Sequence, residues 1–162
     1  MIKEIQFENK TLYFIVGIGV LALFIIGLGP GLFSSEFASS TSWQYYVFKD
    51  LCHQETARSY ALNGVQMAVC TRCIGIYGSL LAGWILLPFL SYFISSQINL
   101  YKWLFSASIV LNLVDVLGNF LELWSNTNNS RLFLGIALGT STILFLKNDF
   151  FKQLNARIRY GK

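Results

Sequence analysis

Charge is what this sequence has least of. Only 12% of its 162 residues are Asp, Glu, Lys or Arg, about half the share of roughly 25% usual in soluble domains. So few charges cannot cover the surface of a small globule in water, so the chain is solvated mostly by lipid. Disorder is excluded by the same composition, since 54% of the residues are hydrophobic. A basic nucleic-acid-binding domain is excluded as well. Histidine occurs once and cysteine three times, which makes their placement informative.

Long apolar runs are what the sequence has instead. Residues 11–29 contain no charge, and at about 1.5 Å per residue they reach roughly 28 Å, enough to cross a hydrocarbon core of about 30 Å. Further runs cover 74–94, 103–124 and 132–146, the last borrowing a turn from 129–131. The chain therefore reads as all-α, a four-helix transmembrane bundle in one integral membrane domain over 1–162. Its helices fall at about 11–29, 70–94, 102–124 and 130–146, with a loop over 30–69 and a basic tail over 147–162. Pro88 places a kink in the second span. The first run is longer than a signal-peptide core and no small-residue cleavage site follows it, so it reads as a retained helix.

Lys and Arg set the orientation. With four spans both termini share one side, and that side holds Lys3, Lys10, Lys102, Lys147, Lys152, Arg157, Arg159 and Lys162. The other side holds only Lys49, Arg58, Arg72 and Arg131, although its first loop is far longer. The expectation is a multi-pass protein of the plasma membrane with cytoplasmic termini. The net charge of +4 then serves orientation and anionic lipid in the tail. Residues 149–160 alternate apolar and basic and read either as a short helix along the inner surface or as a solvated basic stop signal.

The unusual residues gather on the outer side. In the loop, Ser40 or Thr41 caps a helix whose apolar positions Trp43, Val47 and Leu51 recur every four residues, a stripe that rests on the bilayer or the bundle. Cys52 and His53 follow at its end, and Asn63-Gly64 reads as a turn or helix stop. The remaining cysteines are Cys70 and Cys73 in Cys70-Thr71-Arg72-Cys73. A Cys-x-x-Cys pair with a further Cys and the only His nearby is the donor set of a zinc site. Adjacent residues on a helix point about 100° apart, so Cys52 and His53 share one ion only in irregular backbone. Three ligands are easier to place: Cys70, Cys73 and either Cys52 or His53. Two other chemistries fit the same residues. A Cys70–Cys73 dithiol at a helix N-terminus suits thiol–disulfide exchange, although the odd count supplies no second pair to pass electrons on. A structural bridge from Cys52 to Cys70 or Cys73 would leave one thiol.

A second group lies on the third span. Ser108, Asn112, Asp115, Asn119 and Glu122 draw one polar stripe along one helix face. A carboxyl at membrane depth needs a partner, and Arg72 and Arg131 are the candidate cations for Asp115. The stripe is either an interhelical seam with one ion pair or the wall of an outward-opening cavity. On the second span Cys70, Cys73 and Tyr77 share a side. Gly75, Ser79 and Gly83, with Gly135 and Gly139 on the fourth, mark close helix packing.

These motifs resemble a domain-of-unknown-function family of small bacterial and archaeal polytopic membrane proteins. The shared marks are Cys52-His53-Gln54, Arg58-Ser59 and Cys70-Thr71-Arg72-Cys73-Ile74-Gly75-Ile76-Tyr77, followed by Asp115, Ser125-Asn126, Arg131, Gly135 and Gly139. The resemblance covers roughly residues 48–140. Ala68-Val69 departs from the more usual Pro-Val, which bears only on the entry angle of the second span. What the resemblance implies is a fold and a motif set, not a reaction. The expected function is an outward-facing Cys/His centre, with zinc as cofactor, at the membrane boundary. Asp115 or His53 is the candidate base. Arg58, Arg72 or Arg131 would hold an anionic group, and Gln54, Tyr77, Asn112 and Asn119 would line the site. Its partners would be membrane lipids and a lipid-linked or small anionic ligand, with no nucleic acid. The alternatives are a membrane thiol–disulfide oxidoreductase and a metal-stapled binding or transport protein.

Overall fold

The structure is a computed structural model that describes residues 4–7, 9–32, 43–93 and 97–154. Five helices occur among them: α1 (Lys10–Leu28), the short α2 (Trp43–Phe48), α3 (Thr71–Phe93), α4 (Ile98–Phe120) and α5 (Asn128–Phe150). Four short strands form two antiparallel pairs. β1 (Glu4–Phe7) pairs with β4 (Phe151–Leu154), and β2 (Ala61–Leu62) with β3 (Val65–Gln66). The expected cap at Ser40 or Thr41 lies outside the described residues. So does the tail from 155 onward.

The all-α, four-span architecture is present: α1, α3, α4 and α5 are each long and apolar enough to cross a membrane. The side chains are distributed inside out relative to a soluble protein. Phe14, Ile18, Phe89, Trp103 and Phe120 are 66–80% exposed, whereas Ser108, Asn112 and Ser141 are buried. Only a solvent of hydrocarbon makes that arrangement favourable.

Packing is organised around α3 and α5. α1 lies on α3, α3 on α5, and α5 on α4. The α3–α5 crossing is the closest because its contact positions lack a side chain. A Cβ on Gly75 would come within 2.6 Å of the Leu132 carbonyl oxygen. On Gly135 a Cβ would overlap the Arg72 carbonyl, and on Gly139 the Ser79 hydroxyl. Contacting residues rise in number together along both helices, so α3 and α5 run parallel and their N-termini share one end. The glycine positions read from the sequence thus do pack two helices backbone to backbone.

At the opposite end, Trp84, Leu87, Ile143, Phe150 and Phe151 form a buried core. Tyr13 of α1 stacks on Trp84 with ring centroids 5.0 Å apart. Pro88 lies inside α3, which continues past it to Phe93. Because proline has no N–H, the carbonyl of Trp84, four residues earlier, loses its helical donor. The Tyr13 hydroxyl donates to that carbonyl at 2.7 Å, and the Trp84 indole N–H returns a bond to the Tyr13 carbonyl at 3.2 Å. Tyr13→Phe should therefore cost about 0.5–2 kcal/mol of stability. Most of that loss should vanish in a Pro88→Ala background, where residue 88 supplies its own N–H. Thermal unfolding in detergent measures both; equal losses in the two backgrounds would sink this account.

Two local expectations are corrected and one choice is narrowed. α2 is a single short helix that buries Gln44 and Phe48, while Trp43, Val47 and Leu51 are 46–73% exposed. Of the two surfaces expected for the four-residue stripe, bilayer or bundle, it does not take the bundle. The third span stops at Phe120, not 124. There the Leu123 N–H bonds the Gly118 carbonyl at 2.9 Å and the Glu122 N–H that of Asn119 at 3.4 Å, with Glu122 at φ 58°. This is a helix-terminating pair that usually employs glycine, so Glu122 leaves the polar stripe. Finally, 151–154 forms β4 against β1, not a surface helix.

Candidate functional site

The loop before α3 is held by its own polar side chains. Beyond α2, the Cys52 N–H bonds the Phe48 carbonyl at 2.8 Å, continuing one further turn. The chain then reverses at Gln54, with φ 49°. The Gln54 amide donates to the carbonyls of Tyr45 at 2.7 Å and Ala68 at 3.0 Å. The Gln66 amide donates to the Gln54 carbonyl at 2.7 Å. Strands β2 and β3 are joined at Asn63-Gly64, both at positive φ (52° and 79°), the geometry a two-residue hairpin turn requires. Asn63 also ties the hairpin to the Gly31 carbonyl at 2.9 Å. Gln54, expected to bind a ligand, spends both amide hydrogens on shaping this loop.

The loop delivers Cys52 onto the start of α3. Cys52 is buried with Phe48, Ala68, Val69 and Ile74, and Cys70, Cys73, Tyr77 and Leu132 pack against that cluster. The Cys70 carbonyl accepts the first helical bond, from the Ile74 N–H at 3.0 Å. Cys70 is thus the N-cap of α3, and Cys73 stands in its first turn. Their sulfurs are 3.6 Å apart, and the Cys70 N–H points at Cys52 Sγ, 3.1 Å away. All three sulfurs lie within 4.8 Å of one another. Thiolates around one tetrahedral zinc, each at about 2.3 Å, would be about 3.8 Å apart. The cluster therefore fits such an ion with shifts of an ångström or less.

Cys70 is the sulfur primed for charge. Its thiol is held well below the ordinary range, first by the hydrogen bond with Cys52 and then by that with Cys73; burial opposes them, and the backbone N–H groups of Cys73 and Arg72 act with the sulfurs against it. His53 is exposed and stands outside the sulfur cluster. Of the two adjacent candidates Cys52 is the one turned inward, because its N–H continues the α2 turn while its sulfur meets the Cys70 N–H.

Beside the sulfurs lie the charges. Arg72 pairs with Asp115, their side chains only 18% and 14% exposed. Asn126 donates to the same carboxylate oxygen at 2.7 Å. Arg58 pairs with Glu55 at 2.8 Å, both about half exposed. Arg131 differs: it is 8% exposed and donates to the neutral amide oxygen of Asn119 at 3.1 Å. Among the described residues no carboxylate forms an ion pair with it. Arg131 immediately precedes Leu132, which packs against the cluster that holds the three cysteines. Deeper in, Asn112 donates to the carbonyls of Ser108 at 2.9 Å and Leu134 at 3.2 Å. Ser108 and Ser141 hydroxyls meet at 2.7 Å. The inner half of the stripe is therefore an α4–α5 seam, while Asp115 and Asn119 reach the cysteine end. Tyr77 packs half-buried against Phe48, ring centroids 5.8 Å apart.

Two supporting roles escaped the sequence reading. Asn126 holds Asp115 from the turn before α5. Tyr60 donates to Asn129 Oδ1 at 2.7 Å, tying the loop to the first turn of α5. The Asn-rich turn was the available signal for both.

The profile of the family described as "Predicted membrane protein (DUF2085)" matches residues 52–145, a stretch that includes every sulfur and arginine of the site. An uncharacterized protein of Methanocaldococcus jannaschii is 29% identical over 157 residues, covering 93% of this chain and 99% of the relative. No solved structure matches the chain.

Proposed function

Since the chain belongs to the DUF2085 family of predicted membrane proteins, a description that gives a location and no chemistry, we propose its function from the site itself. The protein holds zinc on Cys52, Cys70 and Cys73 at the outer boundary of the membrane and receives an anionic group beside it. The carrying observation is Arg131, a buried cation whose only partner among the described residues is a neutral amide. An unpaired buried charge costs several kcal/mol unless an anion joins it. The surroundings support that reading. The N-termini of α3 and α5 meet at this end, each with an arginine and no acid in its first turn, and helix N-termini favour anions. A guanidinium matches phosphate or carboxylate with two parallel hydrogen bonds.

Zinc on three thiolates keeps a fourth position for water or a ligand atom and acts there as a Lewis acid. Of the candidate bases, Asp115 is engaged by Arg72 and Asn126, which leaves the exposed His53 the freer one. One observation favours a second reading: Cys70 and Cys73 sulfurs 3.6 Å apart with a charge-prone Cys70 also suit dithiol–disulfide exchange.

One experiment separates these. Elemental analysis and intact mass are measured on the detergent-purified chain, together with binding of inorganic phosphate. Stoichiometric zinc is expected, lost in Cys73→Ser and kept in His53→Ala; phosphate binding is expected to disappear in Arg131→Gln. Metal-free protein lighter by two hydrogens would overturn the zinc centre in favour of the redox reading. Phosphate binding unaffected by Arg131→Gln would overturn the anion site.

A further inference from the structure

α2 has three sides, and the bundle covers one of them. Gln44 and Phe48 share the buried side. The helical turn runs on past Phe48, whose carbonyl accepts from the N–H groups of both Leu51 and Cys52. At about 100° per residue, Trp43, Val47 and Leu51 therefore fall within about 80° on one flank of the buried side, and Tyr46, Lys49 and Asp50 within about 100° on the other. All six are exposed. One flank is wholly apolar, and the other carries both charges of the segment. The depth of α2 decides which solvent meets the apolar flank. Phe24 of α1 and Tyr77 of α3 both pack against the cluster that holds Phe48. At about 1.5 Å per residue, Tyr77 lies about 9 Å along α3 from Thr71, and Phe24 about 6 Å along α1 from Leu28. A side chain that reaches so far inside the ends of two spans belongs to a helix level with their last turns. The lipid-facing surface extends to the same level, since Leu23 and Ile25 of α1, and Leu32 just beyond it, are 37–40% exposed.

We propose that α2 is an interfacial anchor whose partner is the lipid bilayer. Trp43, Val47 and Leu51 enter the acyl chains of the leaflet at the cysteine end, while Tyr46, Lys49 and Asp50 stay among headgroups and water. An amphipathic helix lying in the membrane plane divides its residues in this way, and tryptophan is favoured at that boundary. The anchor reaches the sulfur cluster through the chain. Because the turn of α2 continues to Cys52, a leaflet that grips Val47 and Leu51 also holds the loop-borne sulfur against Cys70 and Cys73 of α3. The anchor does not depend on what the sulfurs bind.

The test uses the full chain in dioleoyl phosphatidylcholine vesicles, with a benzophenone amino acid at one position at a time. Illumination should make the protein heavier by one lipid at positions 47 and 51, with a yield near that at Phe89, which α3 exposes. At positions 46 and 50 the yield should be about tenfold lower, because the reactive ketone then stands on the wet side of the helix. Lipid adducts no more frequent at 47 and 51 than at 46 and 50 would overturn the anchor. Crosslinks from 47 or 51 to a second copy, or to another segment of this chain, in place of lipid would also overturn it, making the flank a protein contact. The hold on Cys52 has its own readout, labelling by a water-soluble maleimide located by peptide mass. Val47→Asp with Leu51→Asp should raise Cys52 labelling about tenfold, since a charge on that flank leaves the acyl chains for water. Tyr46→Asp, the same charge on the other flank, should leave it at the wild-type level. Cys52 labelling that is equal in wild type and the double variant, or raised as much by Tyr46→Asp, would overturn the link between the leaflet and the sulfur.

Discussion

Gly135→Ala should push α3 off α5 and loosen the cysteine centre at the same time. A Cβ at residue 135 would overlap the carbonyl oxygen of Arg72, a backbone atom that cannot swing away as a side chain can. Overpacking of this kind costs about 1–3 kcal/mol, which detergent unfolding should register as a lower Tm. Because Arg72 lies between Cys70 and Cys73, the displaced backbone carries the sulfurs with it, and zinc content should fall as well. Gly19→Ala is the control, since a Cβ there has nothing within 4 Å; stability and metal should both be retained. A Gly135→Ala protein with wild-type Tm and full metal would refute the close crossing.

The second large effect is expected from Asp115→Ala. The Arg72–Asp115 pair is only 18% and 14% exposed, so it belongs with buried pairs, not with surface pairs worth about 0–1 kcal/mol. Removing the carboxylate alone strands the guanidinium and should cost about 3–5 kcal/mol. It also leaves the Asn126 amide without its acceptor. Removing both charges, Arg72→Met with Asp115→Leu, should restore most of the stability, because two apolar side chains need no counter-ion. A double variant no more stable than Asp115→Ala would show that the position matters for something other than charge balance.

These two residues also show where the sequence could be read and where it could not. Gly135 and Gly139 declared a close crossing by their four-residue spacing, which is a local property of any helix. Asp115 declared its need for a cation by its depth in an apolar run, and Arg72 and Arg131 were the candidates. Which arginine it takes depends on how α4 lies against α3 and α5. No spacing within one helix encodes that. Glu122 misled for a different reason. Helix ends are signalled by glycine, and here a glutamate occupies the left-handed position, while Trp124 folds back over Gly118.

The sequence by itself determined the four apolar spans, the i, i+3 pairing of Cys70 with Cys73 at a helix start, and the small-residue contact of α3 with α5. Each of these follows from composition or from the fixed rise and turn of a helix. Only the tertiary structure decided that Cys52 and not His53 completes the sulfur cluster, and that Trp43, Val47 and Leu51 face outward. It alone decided that Arg72 takes the carboxylate while Arg131 is buried beside the sulfurs without one. Those outcomes depend on the approach of segments far apart in the chain, set by packing and by hydrogen bonds from Gln54, Asn126 and Tyr60.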